Sequence, residues 1–499
     1  MDFCTLPLWI FSIWACIHLL LLLARKKSGT AKLPPGPFPL PIVGNLFQLG
    51  NKPNESLSRL ARSYGPLMTL RLGSITTVVV SSATMAKEVL QKHDHTFAGR
   101  SVVDAARVLH HNESSMVWLP AEQQWRKLRT ICNTHIFATQ RLDADQGLRR
   151  HKVNEIMAHV AEQCIKGEAV DIGQAALVTN LNLISNIVFS VDLVDPNSSS
   201  AQELKKLVSE AMEEAGRPNV ADYFPWLRAM DPQGIRRRST VHLERLHAIF
   251  DGLIEQRLLV SRSSSNSQRR ADFLDVLLDP SHDNSFQLSR RDIHALLVDI
   301  FIASSDSTSS IVEWAMAELL RNPNTMARAR SELIQTIGRG RRAEESDISR
   351  LPYLQAVVKE TLRLHPTAPL LIPRKAESDV EICGFTIPRN TQVLVNAWAI
   401  SRDPHVWVDP TSFSPERFLD SHVDFKGRNF ELIPFGTGRR ICPGMPLADR
   451  MIHLTLASLL HSFDWRLPDG MAPHDLDMSD KFGLTLQKVV PLRAIPVQG

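Results

Sequence analysis

A ten-residue loop, FGTGRRICPG at positions 435–444, carries the most specific chemistry in this 499-residue chain. It sets one cysteine, Cys442, among three glycines and two residues after Arg440, ahead of a helix-like apolar run. Glycine lets a backbone pass close to a flat ligand at positive φ, and the amides at a helix N-terminus favour a thiolate. The guanidinium of Arg440 can pair with a carboxylate group of the bound ligand. The loop therefore predicts a thiolate that holds a haem iron, rather than a structural cysteine in a glycine-rich turn.

A second pattern, KETLRLHP at positions 359–366, places Glu360 three residues before Arg363. Residues at this spacing share a helix face and can pair. Taken alone, the pair is typical of a solvated surface ion pair that contributes little to stability.

A third pattern covers residues 299–320, where apolar residues recur at helical spacing on both sides of a Ser/Asp/Thr cluster. Two interpretations are open: the cluster caps a second helix, or it lies inside one long helix. In the second case an acid beside a hydroxyl, Asp306 and Ser307, can relay protons through ordered water.

A fourth pattern, EQQWRKLR at positions 122–129, sets Trp125 and Arg129 on one helix face. Read without the other motifs, it is typical of a core tryptophan beside a solvated arginine.

Composition limits the classes of protein that remain. Hydrophobic residues make up 43% and charged residues 22%, as in an ordinary globular protein. A formal charge of +4 is too small to predict nucleic-acid binding. The six cysteines are scattered, without the paired spacing of a zinc site and without a disulfide framework.

The first residues predict a membrane anchor. Residues 6–24 are apolar apart from Ser12 and His18, and Arg25, Lys26 and Lys27 follow at once. Such a run spans roughly 30 Å as a helix, the thickness of a bilayer core. A cleaved signal fits poorly because no basic segment precedes the run, and the positive-inside rule places the rest of the chain in the cytosol.

We therefore divide the chain into an anchor at 1–27, a proline-rich elbow at 28–45 and one haem-thiolate domain at 46–499. Strands are predicted at 68–81, 380–387 and 392–396, helices over most of 85–376 and again at about 447–462, and a flexible loop at 261–270. The predicted fold class is mainly α with a minor β part, in a single domain.

The cysteine loop resembles the ligand signature of cytochrome P-450 monooxygenases, FxxGxRxCxG, with every defined position filled, and the resemblance runs from the PPGP of the elbow to the C-terminus. It implies a haem-thiolate fold with haem b, thiolate-ligated at its iron, that activates O2 with electrons from NADPH through NADPH-cytochrome P-450 reductase. It also implies a single-pass protein of the endoplasmic reticulum membrane that contacts membrane lipid and faces the cytosol.

The same resemblance implies roles for residues outside the loop. Glu360, Arg363 and Arg417 are expected to form a structural network, and Asp306 and Ser307 to serve oxygen activation. Two positions depart from the family pattern, since Ser304 replaces a glycine and Ser307 replaces a threonine. Residues expected to contact the haem are Cys442, Arg440, Phe435, Trp125, Arg129 and Arg374.

The expected substrate pocket is lined by four segments of the chain whose residues are largely apolar. A small apolar substrate is therefore predicted, bound mainly through burial of its apolar surface. Its residues are Val102, Val103, Val108, Met116, Val298, Ile302, Ala303, Leu370, Leu371, Ile372 and Leu484. A basic patch for the reductase is expected at Arg126, Lys127, Lys426, Arg428 and Arg439, with scattered solvated charges as the alternative.

Longer stretches, such as ICNTHIFATQRLDA at 131–144 and VEWAMAELLRNP at 312–323, resemble plant microsomal terpenoid-oxidising members, the geraniol hydroxylase and ferruginol synthase group. Oxidation of a mono- or diterpenoid is therefore expected. A phenolic, coumarin or alkaloid substrate is the alternative, and a peroxide-using haem isomerase or a non-catalytic haem sensor is the alternative of another class.

Overall fold

The computed structural model describes residues 32–194, 199–263, 272–279 and 288–498. The predicted anchor, the first residues of the elbow and most of the predicted loop at 261–270 lie outside these ranges. The helices are α1 (Leu46–Leu49), α2 (Pro53–Tyr64), α3 (Ala83–Lys87), α4 (Gln123–His135), α5 (Thr139–Ala144), α6 (Gln146–Lys166), α7 (Ile172–Phe189), α8 (Ser199–Gly216), α9 (Val220–Tyr223), α10 (Ile235–Ser263), α11 (Phe273–Leu278), α12 (Arg290–Arg321), α13 (Pro323–Ile337), α14 (Pro352–Leu364), α15 (Ala397–Ile400) and α16 (Met445–Ser462).

Short strands form four small sheets in the described part of the chain. The strands are β1 (Leu67–Leu72), β2 (Ile75–Val80), β3 (Gly99–Arg100), β4 (Val170–Asp171), β5 (Arg374–Lys375), β6 (Val380–Ile382), β7 (Phe385–Ile387), β8 (Gln392–Val395), β9 (Phe463–Arg466), β10 (Asp480–Lys481), β11 (Gln487–Lys488) and β12 (Arg493–Gln498). The largest sheet has the order β1-β2-β8-β5-β3, in which β2 and β8 run parallel and the other neighbours antiparallel. The remaining sheets are β4-β12-β9, β10-β11 and β6-β7.

The hairpin of β1 and β2 confirms the strands predicted at 68–81. Its turn is at Gly73, where φ is 58°, a left-handed conformation that glycine adopts without strain. β-branched residues favour the extended conformation of β2, and Val78, Val79 and Val80 are fully buried. Ahead of the hairpin, the elbow crosses β1, since the amide of Thr69 donates to the carbonyl of Pro35 at 2.9 Å.

The long helix α12 runs through the middle of the helical part, packed against α7, α8, α14 and α16. A capping box at its start, in which Ser289 and Asp292 bond each other's backbone amides, fixes its first turn. Among the described residues α7 and α12 are long and apolar enough to cross a membrane, but most of each is buried inside the domain, as in core helices.

The Ser/Asp/Thr cluster lies inside α12 and does not separate two helices. The hydroxyl of Ser304 donates to the carbonyl of Ile300 at 2.7 Å, and the hydroxyl of Ser307 donates to the carbonyl of Ala303 at 2.9 Å. Serine hydroxyls that bond the preceding turn are compatible with a continuous helix, so the capping interpretation is wrong.

Candidate active site

The cysteine loop is a tight turn that ends at the N-terminus of α16. Gly436 and Gly438 have φ of 68° and 71°, and a Cβ on Gly438 would lie 2.6 Å from the carbonyl oxygen of Leu90. The amide of Cys442 donates to the carbonyl of Phe435 at 3.0 Å and closes the turn. Glycine is therefore required where the loop passes the neighbouring backbone.

Two backbone amides donate to the sulfur of Cys442. Burial is the larger effect and raises the pKa of this thiol, whereas the amides of Gly444 and Met445 and the charge of Arg129 lower it. Because α16 begins at Met445, these two amides belong to its N-terminus, where free N–H groups stabilise an anion. The surroundings therefore suit a thiolate that is neutralised by a metal ion.

Arg440 is buried, and its guanidinium lies over the ring of Trp125, 4.6 Å from the ring centre. Its N–H groups donate to three backbone carbonyls, those of Ala98 at 3.0 Å, Met116 at 3.3 Å and Leu119. Burial, with repulsion from Arg374 and Arg129, lowers the pKa of Arg440 to about 10.

Arg374 and Arg100 lie in the same buried region. Arg374 donates to the carbonyls of Phe97 at 3.2 Å and Thr437 at 3.4 Å, and burial lowers its pKa to about 10. Arg100 donates to the carbonyls of Val117 at 3.2 Å and Ile372 at 2.9 Å. Its pKa is well below the usual range because of burial and repulsion from Arg374 and Arg440.

Arg440 thus lies in the cysteine loop among three other arginines whose charges repel its own, Arg100, Arg129 and Arg374. Within the described ranges, the carboxylate paired with this group is Asp94, 3.6 Å from Arg374, and it also binds Arg439 at 2.8 Å. Buried cations need anions. The two propionates of haem b would neutralise this excess of positive charge, and the sulfur of Cys442 would bind its iron. The residues present therefore fit the cofactor.

Glu360 and Arg363 of α14 are fully buried and form a bidentate pair at 2.7 and 2.8 Å. Arg417 donates to the same carboxylate at 3.0 Å, and the amide of Ser414 does so at 2.8 Å. Arg363 also donates to the carbonyls of residues 401, 410 and 412. Such a network stabilises a buried charge because its donors and acceptors are satisfied, so the solvated surface pair considered from the sequence is not what forms.

The middle of α12 presents two different faces. Ala303 is exposed although it lies in a core helix, and Ser307 is half-buried one turn further on. Asp306 is only 8% exposed and accepts a hydrogen bond from Gln487 at 2.9 Å. Since successive residues of a helix point about 100° apart, the acid and the hydroxyl do not share a face.

Asp299, two turns earlier on α12, fastens the loop that precedes α4. Its buried carboxylate accepts from the hydroxyl of Ser115 at 2.8 Å and from the amide of Val117 at 3.3 Å, and it lies 3.2 Å from a ring nitrogen of His111. Sequence reasoning missed Asp299 because an acid in an apolar stretch has no motif. Its effect is to fix the segment that carries Met116.

The residues expected to line the substrate pocket differ in burial. Val108, Met116 and Val298 are buried in the main core, and Ala303 is exposed. Leu484 lines a cavity of about 1560 Å³ together with Asp306, Phe482 and Gln487. Leu371 approaches the cysteine loop, 3.9 Å from where a Cβ on Gly436 would lie. The partly exposed residues of the set are Val102, Val103, Ile302, Leu370, Leu371, Ile372 and Leu484.

Comparison with known proteins decides the family. Residues 34–491 match the model of the family described as Cytochrome P-450. The chain is 52% identical to geraniol 8-hydroxylase of Catharanthus roseus, over 99% of each chain. It is 50% identical to drimenol monooxygenase of Persicaria hydropiper, over 95% and 94%, and 45% identical to ferruginol synthase of Salvia miltiorrhiza, over 100% and 99%.

The chain belongs to the cytochrome P-450 family. Like other cytochromes P-450, it is a monooxygenase with a thiolate-ligated haem b, and members of the family typically receive electrons from NADPH through a reductase. Bound haem supplies the activation of O2. The cytochrome P-450 fold accounts for the mainly helical chain with small sheets.

Sequence reasoning missed Arg100 as a member of the arginine cluster. This residue stands alone in an apolar segment, and the pairing of β3 with β5 brings it to Arg374.

Proposed function

We propose that this monooxygenase hydroxylates or further oxidises a carbon of a mono- or diterpenoid. The observation that carries the proposal is similarity over nearly the full chain to three enzymes whose names specify geraniol, drimenol and ferruginol, all of them terpenoids. The apolar side chains of the proposed pocket support it, since a terpenoid carbon skeleton binds by burial of area. These residues are Val102, Val103, Val108, Met116, Val298, Ile302, Ala303, Leu370, Leu371, Ile372 and Leu484.

In this proposal Cys442 is the iron ligand, and two amides of α16 share the negative charge of its sulfur. Arg440, Arg374, Arg129 and Arg100 receive the haem propionates, which would relieve the repulsion within the arginine cluster. Trp125 holds the guanidinium of Arg440 in place, and Phe435 closes the loop through its carbonyl. Glu360, Arg363 and Arg417 hold the chain around residues 401–417.

Protons for the reaction are proposed to pass by way of Asp306 and Ser307. The balance of the reaction is RH + O2 + NADPH + H⁺ → ROH + H2O + NADP⁺, so each turnover takes up one proton from solution. Asp306 borders a cavity whose walls carry many charged side chains, which supports access of solvent protons to the acid. Ser307 presents a hydroxyl on the face of Ala303 and replaces the threonine of the family with fewer rotamer restraints.

An anchor at residues 1–27 is proposed to hold the protein in the endoplasmic reticulum membrane with its domain in the cytosol. Exposed apolar residues support a lipid-facing surface at one end of the domain. The amide of Gly73 donates to the carbonyl of Val43, and that of Ser74 to the carbonyl of Tyr223, so two apolar segments meet at this turn. The residues of this surface are Phe38, Leu40, Ile42, Phe47, Trp226 and Met230.

The reductase is proposed to dock on the basic side chains around the cysteine loop, because complementary charge speeds encounter. Arg126 on α4 and Arg439 in the loop are exposed there, although Arg439 is partly compensated by Asp94. Affinity for the reductase that falls as salt rises would support this surface, and affinity indifferent to salt would overturn it.

The proposed function is tested with membranes that contain this chain and a plant reductase. A carbon monoxide difference spectrum of the reduced protein first establishes thiolate ligation, with Cys442→Ser membranes as the matched control. The membranes are then incubated with geraniol, a sesquiterpene alcohol and an abietane diterpene. An NADPH-dependent product from one of them is expected. Conversion of phenolics, coumarins or alkaloids alone would overturn the terpenoid class, and conversion with peroxide but not NADPH would overturn the monooxygenase reaction.

A further inference from the structure

The hairpin of β10 and β11 is fastened to the middle of α12 at two points. The side-chain amide of Gln487 donates to the carboxylate of Asp306 at 2.9 Å, and the hydroxyl of Ser310 donates to the carbonyl of Leu486 at 3.2 Å. Asp306 and Ser310 are four residues apart and therefore lie on one face of the helix. One bond involves the acid, and the other holds the hairpin without it.

Other contacts fix the hairpin independently of α12. The amide of Leu486 donates to the carbonyl of Thr367 at 2.8 Å, and Lys481 pairs with Glu213 of α8 at 3.1 Å. The end of α8 packs closely on the tip, since a Cβ on Gly216 would lie 2.3 Å from the amide nitrogen of Leu484. The hairpin is therefore held by several elements, and the loss of one side-chain bond to α12 leaves it in place.

The Gln487 bond acts on the charge state of the acid as well as on its position. Burial, the larger effect, raises the pKa of Asp306, and the amide of Gln487 lowers it by donating to the carboxylate. A fixed donor to one oxygen also restricts rotation of the carboxyl group. Without that donor the acid would be both freer to rotate and more often protonated.

Charged groups of the neighbouring elements face the same cavity as Asp306. They are Glu155 and His159 of α6, Asp171 of β4, Asp192 after α7, Lys205, Lys206, Glu210 and Glu213 of α8, Arg217 after α8, and Lys481 of β10. Lys481 is engaged with Glu213, so within the described residues the side chain that bonds the Asp306 carboxylate is the neutral amide of Gln487. A neutral donor holds the carboxylate without trapping its charge as an ion pair would.

We infer that Gln487 is a positioning residue for proton delivery, which holds the Asp306 carboxylate in the orientation from which it passes protons from the cavity, through ordered water, to Ser307 on the other face of α12. The inference rests on the proposed role of Asp306. Gln487 itself gains and loses no proton, since its amide only donates a hydrogen bond. When the donor is lost, a larger share of the electrons from NADPH is expected to reduce O2 to peroxide or water instead of oxidising substrate.

The test measures product formed per NADPH consumed by the full-length, haem-loaded protein with its reductase. Gln487→Met, which keeps the length of the side chain but removes the donor, is expected to lower this ratio about tenfold, the scale of one hydrogen bond to a charged group. Ser310→Ala removes the other tether and is expected to leave the ratio unchanged. An equal loss in both variants would show that Gln487 only fastens the hairpin and would overturn the inference.

A double-mutant cycle with Asp306→Asn asks whether Gln487 acts through the acid. Gln487→Met is expected to have no further effect in the Asp306→Asn background, and a full additional loss there would also overturn the inference.

An infrared measurement at fixed pH needs no turnover. The protonated-carboxyl band that disappears in Asp306→Asn should grow in Gln487→Met. A wild-type protein with no terpenoid product would contradict the proposed function, whereas an unchanged infrared band would contradict the role of Gln487.

Discussion

The guanidinium of Arg440 lies on the ring of Trp125, 4.6 Å from its centre, and joins the cysteine loop to α4. The two residues are far apart in the chain, yet this contact and three carbonyls account for the buried face of Arg440. The ring attracts the cation without cancelling its charge. Arg440 is thereby held rigidly with its charge still available to an anion, as a propionate ligand requires.

Substitution of Arg440 by lysine is expected to lower haem retention several-fold, although the charge is kept. A lysine ammonium lacks the planar fork that reaches three carbonyls and stacks on Trp125. Haem content per polypeptide after gel filtration measures the effect. Arg439→Lys is the matched control, because Arg439 is an exposed neighbour bound to Asp94, and it should retain haem. Equal retention in both variants would contradict the role given to Arg440.

Removal of the Glu360 charge is expected to destabilise the domain by about 3–5 kcal/mol, the cost of leaving buried partners uncompensated. In Glu360→Gln, Arg363 and Arg417 lose the carboxylate that binds both. Urea unfolding of the solubilised domain measures the change. Glu88→Gln, which breaks the exposed pair with Lys92, should change the free energy of unfolding by less than about 1 kcal/mol. Similar midpoints for the two variants would contradict the buried network.

Asp222 predicts a pH dependence of stability. Burial raises its pKa to about 6, although the amide of Asp104 donates to it at 2.6 Å. The unfolded chain releases this proton near pH 4 and the folded chain only near pH 6. The folded state therefore binds the extra proton, and stability falls as pH rises from about 4 to 6.

Asp222→Asn should remove this contribution and flatten the curve of unfolding free energy against pH across the same interval, by about 1–3 kcal/mol. Urea unfolding at a series of pH values measures it. Asp231→Asn, at a half-buried turn nearby, is the control. A slope between pH 4 and 6 that survives in Asp222→Asn would assign the dependence to other groups.

Much of the fold and of the site could be predicted from local patterns. The composition of residues 68–81 predicted strands there, which form the β1–β2 hairpin, and the spacing of Glu360 and Arg363 predicted a pair on one helix face. Neither pattern indicates whether its residues are buried. The Glu360–Arg363 pair belongs to a core network because the loops at 401–417 supply carbonyl acceptors and Arg417, and the motif itself does not show those loops. Motifs give contacts within an element, and packing determines which of them are removed from water.

Three residues of the site carry no local signal. Arg100 reaches the arginine cluster through the pairing of β3 with β5, Asp299 binds a loop about 180 residues earlier in the chain, and Gln487 meets Asp306 through the hairpin of β10 and β11. Each depends on tertiary contacts at long sequence separation. The Ser/Asp/Thr cluster was ambiguous for a different reason, because serine is compatible with both a cap and a helix interior when its hydroxyl finds a carbonyl.

The replacement of the family threonine by Ser307 predicts imperfect control of proton delivery. The Ser307 hydroxyl donates to the carbonyl of Ala303 at 2.9 Å, and without a β-methyl it can leave that rotamer more easily than threonine. Ser307→Thr is therefore expected to raise product per NADPH, modestly at about twofold, and Ser307→Ala to lower it about tenfold or more.

Both Ser307 variants are compared at saturating substrate with peroxide release measured in parallel, so that lost coupling is separated from slow electron transfer. Ser304→Ala serves as the control, since Ser304 carries the same kind of bond to the helix, to Ile300 at 2.7 Å, but is not the acid's neighbour in sequence. If Ser307→Ala keeps the wild-type ratio while Ser304→Ala loses it, the hydroxyl that serves the reaction is Ser304, and the relay would start one turn earlier on α12.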